Sequence, residues 1–294
     1  MSGKNDPRKI LNKQKRFTRE WLLKPGTGTM KTEDVKYIEE DLQNDAPAAL
    51  LNISDSLRRL STWYASAGQI ALLDGSVSGW TEIHRAWLYR ALALRVRISL
   101  FQKGRVLGEF RPLKSLETEA SDSALCLAYA LVVRREFEVN FFGDAVRVML
   151  MDKDVVREAY WEQHNVESFS LQLLALSRRE SLDVAKDLRR GLGVYQPIVD
   201  AWTQPSSLAN AIQAACDFHC QRIEDKSDKF AAEFRSPPFD LVPAEILAVY
   251  SVRETLGLDT PRVVHPLFDA PFNVPAGSPA EVEDPLLDQV EAKL

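Results

Sequence analysis

Apolar residues recur at three- and four-residue intervals along most of the chain, and runs of strict alternation are few, so the pattern predicts helices and no sheet. The most deeply packed element is predicted over Gly79 to Gly104. Trp87, Ala91, Leu94, Ile98 and Phe101 make one apolar stripe there, and Leu88, Tyr89, Leu92, Val96 and Leu100 cover other sides of the same cylinder. A helix apolar on several sides has to be covered on several sides. Arg85, Arg90, Arg95 and Arg97 fall between these surfaces, where their stems pack and their guanidinium groups reach carboxylates of neighbouring helices or the rim. Gly104 is the predicted left-handed stop.

The same reasoning places the other elements. Thr32 is the expected N-cap of a helix ending near Asn44, and Pro47 opens a second that runs to the Asp74-Gly75 break. After an aperiodic connection between Gly104 and Ser115, helices are predicted over Ala124 to Phe137 and Phe141 to Met151, with an irregularity at Asn140 to Gly143 whose aromatics read as a core corner. A further helical segment is expected from Asp152 to Trp161. Others follow over Val166 to Leu176, over Leu182 to Arg190 with Gly191 and Gly193 ending it, and from Ser206 or Ser207 to about Phe234, before Pro237-Pro238. Pro243 starts a helix over Ala244 to Leu256, closed by Gly257. Prolines at 261, 266, 271, 275, 279 and 285 leave no room for a regular element beyond, so the C-terminal segment is expected to lie extended, pinned by Val263, Val264, Leu267, Phe268 and Phe272. The predicted fold is all-α. It comprises a basic N-terminal arm over 1–31, a multi-helix globule over 32–258, and an extended proline-rich segment with an acidic tail over 259–294.

Composition narrows the class. With 294 residues, 45% of them hydrophobic, the chain can build a sizeable core. The formal net charge of −5 gives no reason to expect a nucleic-acid binder. Charge is uneven, with eight Lys or Arg against two acids in residues 1–24 and eight acids against two bases in residues 254–294. The basic arm is therefore expected as a solvated tail, or else lying on an acidic surface of its own fold. The N-terminal stretch carries no secretory h-region, and the longest apolar run, Ala124 to Val133, is too short to cross a bilayer. Three cysteines make no disulfide framework, so a reducing cytoplasm is the expected compartment.

Candidate chemistry concentrates in Cys216-Asp-Phe-His219-Cys220. Thiolate and imidazole suit zinc, and Cys216 and Cys220 share a helix face one turn apart. His219 and Cys220 point about a hundred degrees apart, however, and no second cysteine pair closes a tetrahedron. The expected reading is therefore two buried small side chains and a hydrogen-bonded core histidine, with metal ligation by Cys216, His219 and Cys220 as the alternative. A Cys216 nucleophile needs a base, for which His84, His164 and His265 are candidates. No nucleophile elbow, phosphate-binding loop, dinucleotide fingerprint or paired-histidine motif is present, so neither an enzyme nor a cofactor is expected. Asp154, Glu158 and Glu162 fall at successive four-residue steps. They read as an acidic stripe, either a docking surface for a basic partner or an ordinary solvated face. Trp21, Trp80 and Trp202 are either interface anchors or packed.

The segment Phe239 to Pro261, FDLVPAEILAVYSVRETLGLDTP, continuing to His265-Pro-Leu-Phe268, resembles the closing element of the immunity protein 49 family, and Ala86-Trp-Leu-Tyr-Arg-Ala-Leu92 is compatible with it. That family comprises helical proteins protecting bacteria against toxins of polymorphic secretion systems. The resemblance implies a cytoplasmic inhibitor that binds one cognate toxin and blocks it by steric cover, and the net acidity suits a basic toxin such as a nuclease. A helical adaptor with several partners, or a helical enzyme or metalloprotein using the Cys216 and His219 region, are the alternatives. Monomer and homodimer are equally compatible with the pattern.

Overall fold

The computed structural model describes residues 6–107, 113–223, 233–268 and 282–294. Among them the chain is all-α, without a strand. In order the helices are α1 (Pro7–Leu22), α2 (Thr27–Leu42), α3 (Pro47–Leu73), α4 (Gly79–Leu107), α5 (Glu117–Val133), α6 (Glu136–Met151), α7 (Val166–Ser177), α8 (Val184–Asp187), α9 (Gln196–Asp200), α10 (Pro205–Ile223), α11 (Ala244–Thr255) and α12 (Pro285–Lys293). Three 3-10 turns, Glu158–Glu162, Gly193–Tyr195 and Pro266–Phe268, complete them. These elements gather into two compact units. One contains α2, α3, α4 and α12, with residues from Lys15 on and Ser236–Pro238; the other contains α5 to α11 and the start of α1 through Gln14. The hydrophobic pattern carries no marker of this division, because each unit is assembled from separate stretches of chain.

In the α2–α4 unit, α3 and α4 pair along their length. They come close at Gly68 and Gly79, where a Cβ on Gly68 would stand 2.7 Å from the Gly79 carbonyl oxygen and one on Gly79 2.5 Å from that of Gly68. Backbone meets backbone there, so only glycine fits. Tyr89, Leu92, Val96 and Leu100 of α4 pack with Ile53, Leu57 and Leu60 of α3 and Ile38 of α2. Trp87, Ala91, Leu94, Ile98 and Phe101 are buried as well, so α4 is covered on several sides as its sequence requires. Two of its arginines reach carboxylates of neighbouring helices as predicted, Arg97 donating to Asp55 at 3.0 Å and Arg95 to Glu291 at 2.6 Å, whereas Arg90 donates to the Pro237 carbonyl at 3.1 Å and Arg85 to Glu82 of its own helix at 3.1 Å. Gly104 does not end α4. It is buried inside a helix that continues to Leu107; residues 108–112 of the following connection lie outside the described residues.

Both termini differ from expectation. The N-terminal stretch is helical over Pro7–Leu22, because Pro7 suits a first helical position, Asp6 Oδ1 accepts from the Arg8 N–H at 3.0 Å, and Ile10 and Leu11 are buried. Thr32 lies within α2, which begins at Thr27 after a left-handed Gly26 (φ 94°). At the other end α12 forms despite Pro285. Proline is compatible with the first turn, where its missing N–H has no partner to lose, and Asp284 caps the helix by accepting from the Leu286 N–H at 3.2 Å. Leu286, Leu287 and Val290 enter the core of this unit, and Tyr89 donates to Asp284 at 2.9 Å. Phe272 and the prolines at 271, 275 and 279 lie outside the described residues.

In the other unit α5 is the central helix, packed by α6, α7 and α11. Small residues at 120, 123, 124, 126, 128 and 130 let its neighbours approach, and all are buried. The break after α5 falls at Arg134, which is left-handed (φ 59°) and lets the Arg135 N–H reach back to the Ala130 carbonyl at 3.1 Å, a helix-ending arrangement usually made by glycine. The expected irregularity at Asn140 to Gly143 is absent and α6 is continuous through it. Asp152 to Arg157 is a turn followed by the Glu158–Glu162 3-10 turn, and the predicted helix over Leu182 to Arg190 is the single turn α8, capped by Asp183. α10 starts at Pro205 and is described to Ile223; its expected extension toward Phe234 falls on residues 224–232, outside the described set. α11 and the left-handed Gly257 (φ 73°) match the prediction, and buried Arg253 donates from Nε to Thr260 at 3.1 Å and to the carbonyls of Trp202 and Asp259. Trp80 and Trp202 are buried rather than exposed.

Candidate functional site

The α5–α11 unit holds a polar network inside its apolar core. α10 contributes Cys216, His219 and Cys220, all fully buried. His219 Nδ1 lies 2.8 Å from Glu245 Oε1 on α11, its Nε2 lies 3.4 Å from the Asp240 carbonyl, and its ring stacks on Phe234 at 4.1 Å between centroids. Glu245 is buried, and its second oxygen has no hydrogen-bond partner among the described residues. Burial, followed by the Glu245 charge, pushes the Cys216 thiol well above its ordinary range. It is therefore held as the neutral thiol rather than the thiolate that attack or zinc ligation requires. Asp217 turns outward on α10 and meets His265 Nε2 at 3.2 Å. The candidate bases are dispersed: His84 stacks on Trp87, and His164 stacks on Tyr160 at 3.9 Å. Among the described residues no group of three His, Cys, Asp or Glu side chains is arranged to hold a metal ion.

A second part of the network surrounds the first turn of α7. Glu167 Oε1 accepts from Ser121 at 2.8 Å and from Tyr160 at 2.7 Å. Glu233 Oε1 accepts from the backbone N–H groups of Asn165 (2.9 Å) and Val166 (3.2 Å), while its Oε2 accepts from Arg222 Nε at 3.2 Å. Burial, then the Glu167 charge, raises the Glu233 carboxyl to about 7. Tyr195 stacks on Phe169 at 4.3 Å, and its hydroxyl is unpartnered among the described residues. Sequence reasoning found Cys216 and His219 but missed Glu167, Glu233 and Glu245. A signal existed for Glu245 alone, a single acid inside the apolar run Leu241 to Val249.

The acidic stripe does not form as predicted. Asp154 sits in the turn before the Glu158–Glu162 3-10 turn, and at three residues per turn Glu158 and Glu162 point about 120° apart. All three are exposed, and Glu158 is bound by Arg190, which lowers its carboxyl below the usual range.

The outward face of α6 is a different surface. Phe137, Phe141, Asp144, Val148 and Met151 follow helical spacing on one side of the helix. Phe137 is 58% exposed, Val148 43% and Met151 65%, with Phe141 partly exposed beside them. The opposite face, Val139, Phe142, Val146 and Met149, is buried, and Gly143 lets Leu174 of α7 come close. This helix is apolar on both sides and covered on one. Sequence reasoning missed it because an aromatic-rich helix reads as interior.

Comparison of the chain with protein-family models, with curated proteins and with solved structures finds no match.

Proposed function

We propose that the protein is an immunity protein that binds a cognate bacterial toxin in the cytoplasm and neutralises it by steric cover. The observation that carries the reading is the outward apolar stripe of α6. Four apolar side chains along one side of a helix, interrupted by Asp144 and held on a core by the opposite face, are the anchors a protein interface needs. The resemblance of Phe239 to Phe268 to the closing element of the immunity protein 49 family supplies the class of partner. The formal net charge of −5 suits a basic toxin such as a nuclease. The buried network around Cys216 and His219 adds no support to an enzyme reading, since its thiol is held neutral and its carboxylates lie inside the core.

The test is purification from native cells under gentle conditions with identification of whatever co-elutes at equal stoichiometry. The reading expects one toxin-like domain, lethal when expressed without this protein. It also expects Phe137→Asp and Met151→Asp each to weaken the complex about thirtyfold or more, as loss of an interface anchor does, while leaving folding stability within about 0.5 kcal/mol. A protein that elutes alone and shows a turnover activity overturns it.

A further inference from the structure

We propose that the outward face of α6 fits a basic helix, one that sets a lysine or arginine between apolar anchors, and that Asp144 selects it. The spacing points to a helix as the occupant. Phe137, Phe141, Asp144, Val148 and Met151 follow one another at steps of 4, 3, 4 and 3 residues, the rhythm of a seam along which two helices pack side by side. From Phe137 to Met151 the seam runs about 21 Å at the helical rise, so a partner helix of about four turns covers it. Its outer positions are apolar, and the carboxylate of exposed Asp144 stands at its centre. The inference takes α6 as the partner face from the immunity reading and adds the chemistry of what that face grips.

Asp144 decides what can cover this face. The other charged side chains of α6 are matched: Glu136 lies 3.6 Å from Arg178, Glu138 3.2 Å from Arg135, and Arg147 3.8 Å from Glu180. Asp144 has no ion pair among the described residues, and water serves it while the face is open. A partner that laid only apolar side chains along the seam would strip that water and return nothing, and an unpaired buried carboxylate is among the costliest groups an interface can hold. A lysine or arginine at the matching position replaces the water with a charge-assisted hydrogen bond. The same carboxylate disfavours a second copy of this chain. Position 144 lies midway between 137 and 151, so two seams in full overlap bring Asp144 against Asp144 whether the helices run parallel or antiparallel. Like charges then meet inside an apolar contact, which repels the wrong partner as the cation attracts the right one.

The test is fluorescence anisotropy of the full chain with two labelled peptides of about 21 residues, long enough to hold a helix in water. Both carry a leucine seam of matching spacing and differ only at its centre, lysine in one and glutamate in the other. The lysine peptide is expected to bind at least about tenfold more tightly than the glutamate peptide. Asp144→Lys, an exposed substitution that leaves the fold intact, should reverse the preference. Phe137→Gln, which changes no charge, should weaken the lysine peptide about fivefold or more and so place it on α6. A wild-type protein that binds neither peptide or both alike, or an Asp144→Lys protein that still prefers lysine, overturns the proposal. So does a wild-type dimer, seen by sedimentation velocity, that Phe137→Gln dissolves. Selective peptide binding without a co-eluting toxin in native cells supports this inference and removes the immunity reading alone, whereas unselective peptides beside a co-eluting toxin remove this inference alone.

Discussion

The charge state of Glu233 bears on the stability of its unit. An ordinary glutamate ionises near 4.5, and burial beside Glu167 holds this one at about 7, so between those values the folded state keeps a proton that the unfolded chain has released. The stability that this group contributes is fully present below about pH 4.5, declines as pH rises toward 7, and is constant above. Glu233→Gln cannot titrate. The difference in unfolding free energy between the wild-type protein and this variant should therefore fall across pH 4.5 to 7 and level off beyond, as read by denaturant titration at a series of pH values. A difference that is flat or rises over that window contradicts the assignment. None of this was legible in the sequence. Glu167 and Glu233 are 66 positions apart, and only folding places both at the start of α7. Cys216 and His219 were legible because they are neighbours on one helix, but their setting was not, since Glu245 arrives from another element.

At the level of elements, α3, α4, α7 and α11 follow from periodicity and punctuation, with ends within a few residues of those predicted. The failures have separate physical causes. Pro285 was read as leaving no room for a helix and residues 1–31 as a basic arm, although Asp6-Pro7 and Asp284-Pro285 each place a proline in the first turn after an acid, where a helix can start. Gly104 was read as a stop, but a glycine ends a helix only when its backbone turns left-handed, and this one does not. The break expected at Asn140 to Gly143 falls instead at Arg134, whose left-handed backbone ends α5. Gly68 and Gly79 test the packing of α3 on α4. A Cβ at either position would collide with a backbone carbonyl that has no rotamer to move, so Gly68→Ala should cost at least about 1–3 kcal/mol, as overpacking does, in spite of alanine's better helix propensity. Thermal or denaturant unfolding measures this directly. A variant as stable as the parent would show that the two helices do not touch at these residues.

For the whole molecule, the all-α class was plain from regular three- and four-residue spacing and the scarcity of alternating runs, whereas the division into two units was not, because it depends on which stretches pack together. The candidate binding face was hidden for a related reason: hydrophobicity says that Phe137, Val148 and Met151 prefer burial, and only the fold shows that α6 already spends its other face on α5 and α7. A surface that stays apolar after the core is complete is what the proposed partner would cover. Met151 offers the most direct reading of that claim, because its exposed thioether is oxidised to the sulfoxide by dilute peroxide at a rate that follows its access to solvent. Oxidation of Met151 should be measured by mass spectrometry in the isolated protein and in the complex recovered from native cells, with buried Met149 as the internal reference. The account predicts ready oxidation in the isolated protein and strong protection in the complex, with Met149 resistant in both. Equal oxidation of Met151 in the two samples would contradict α6 as the partner surface.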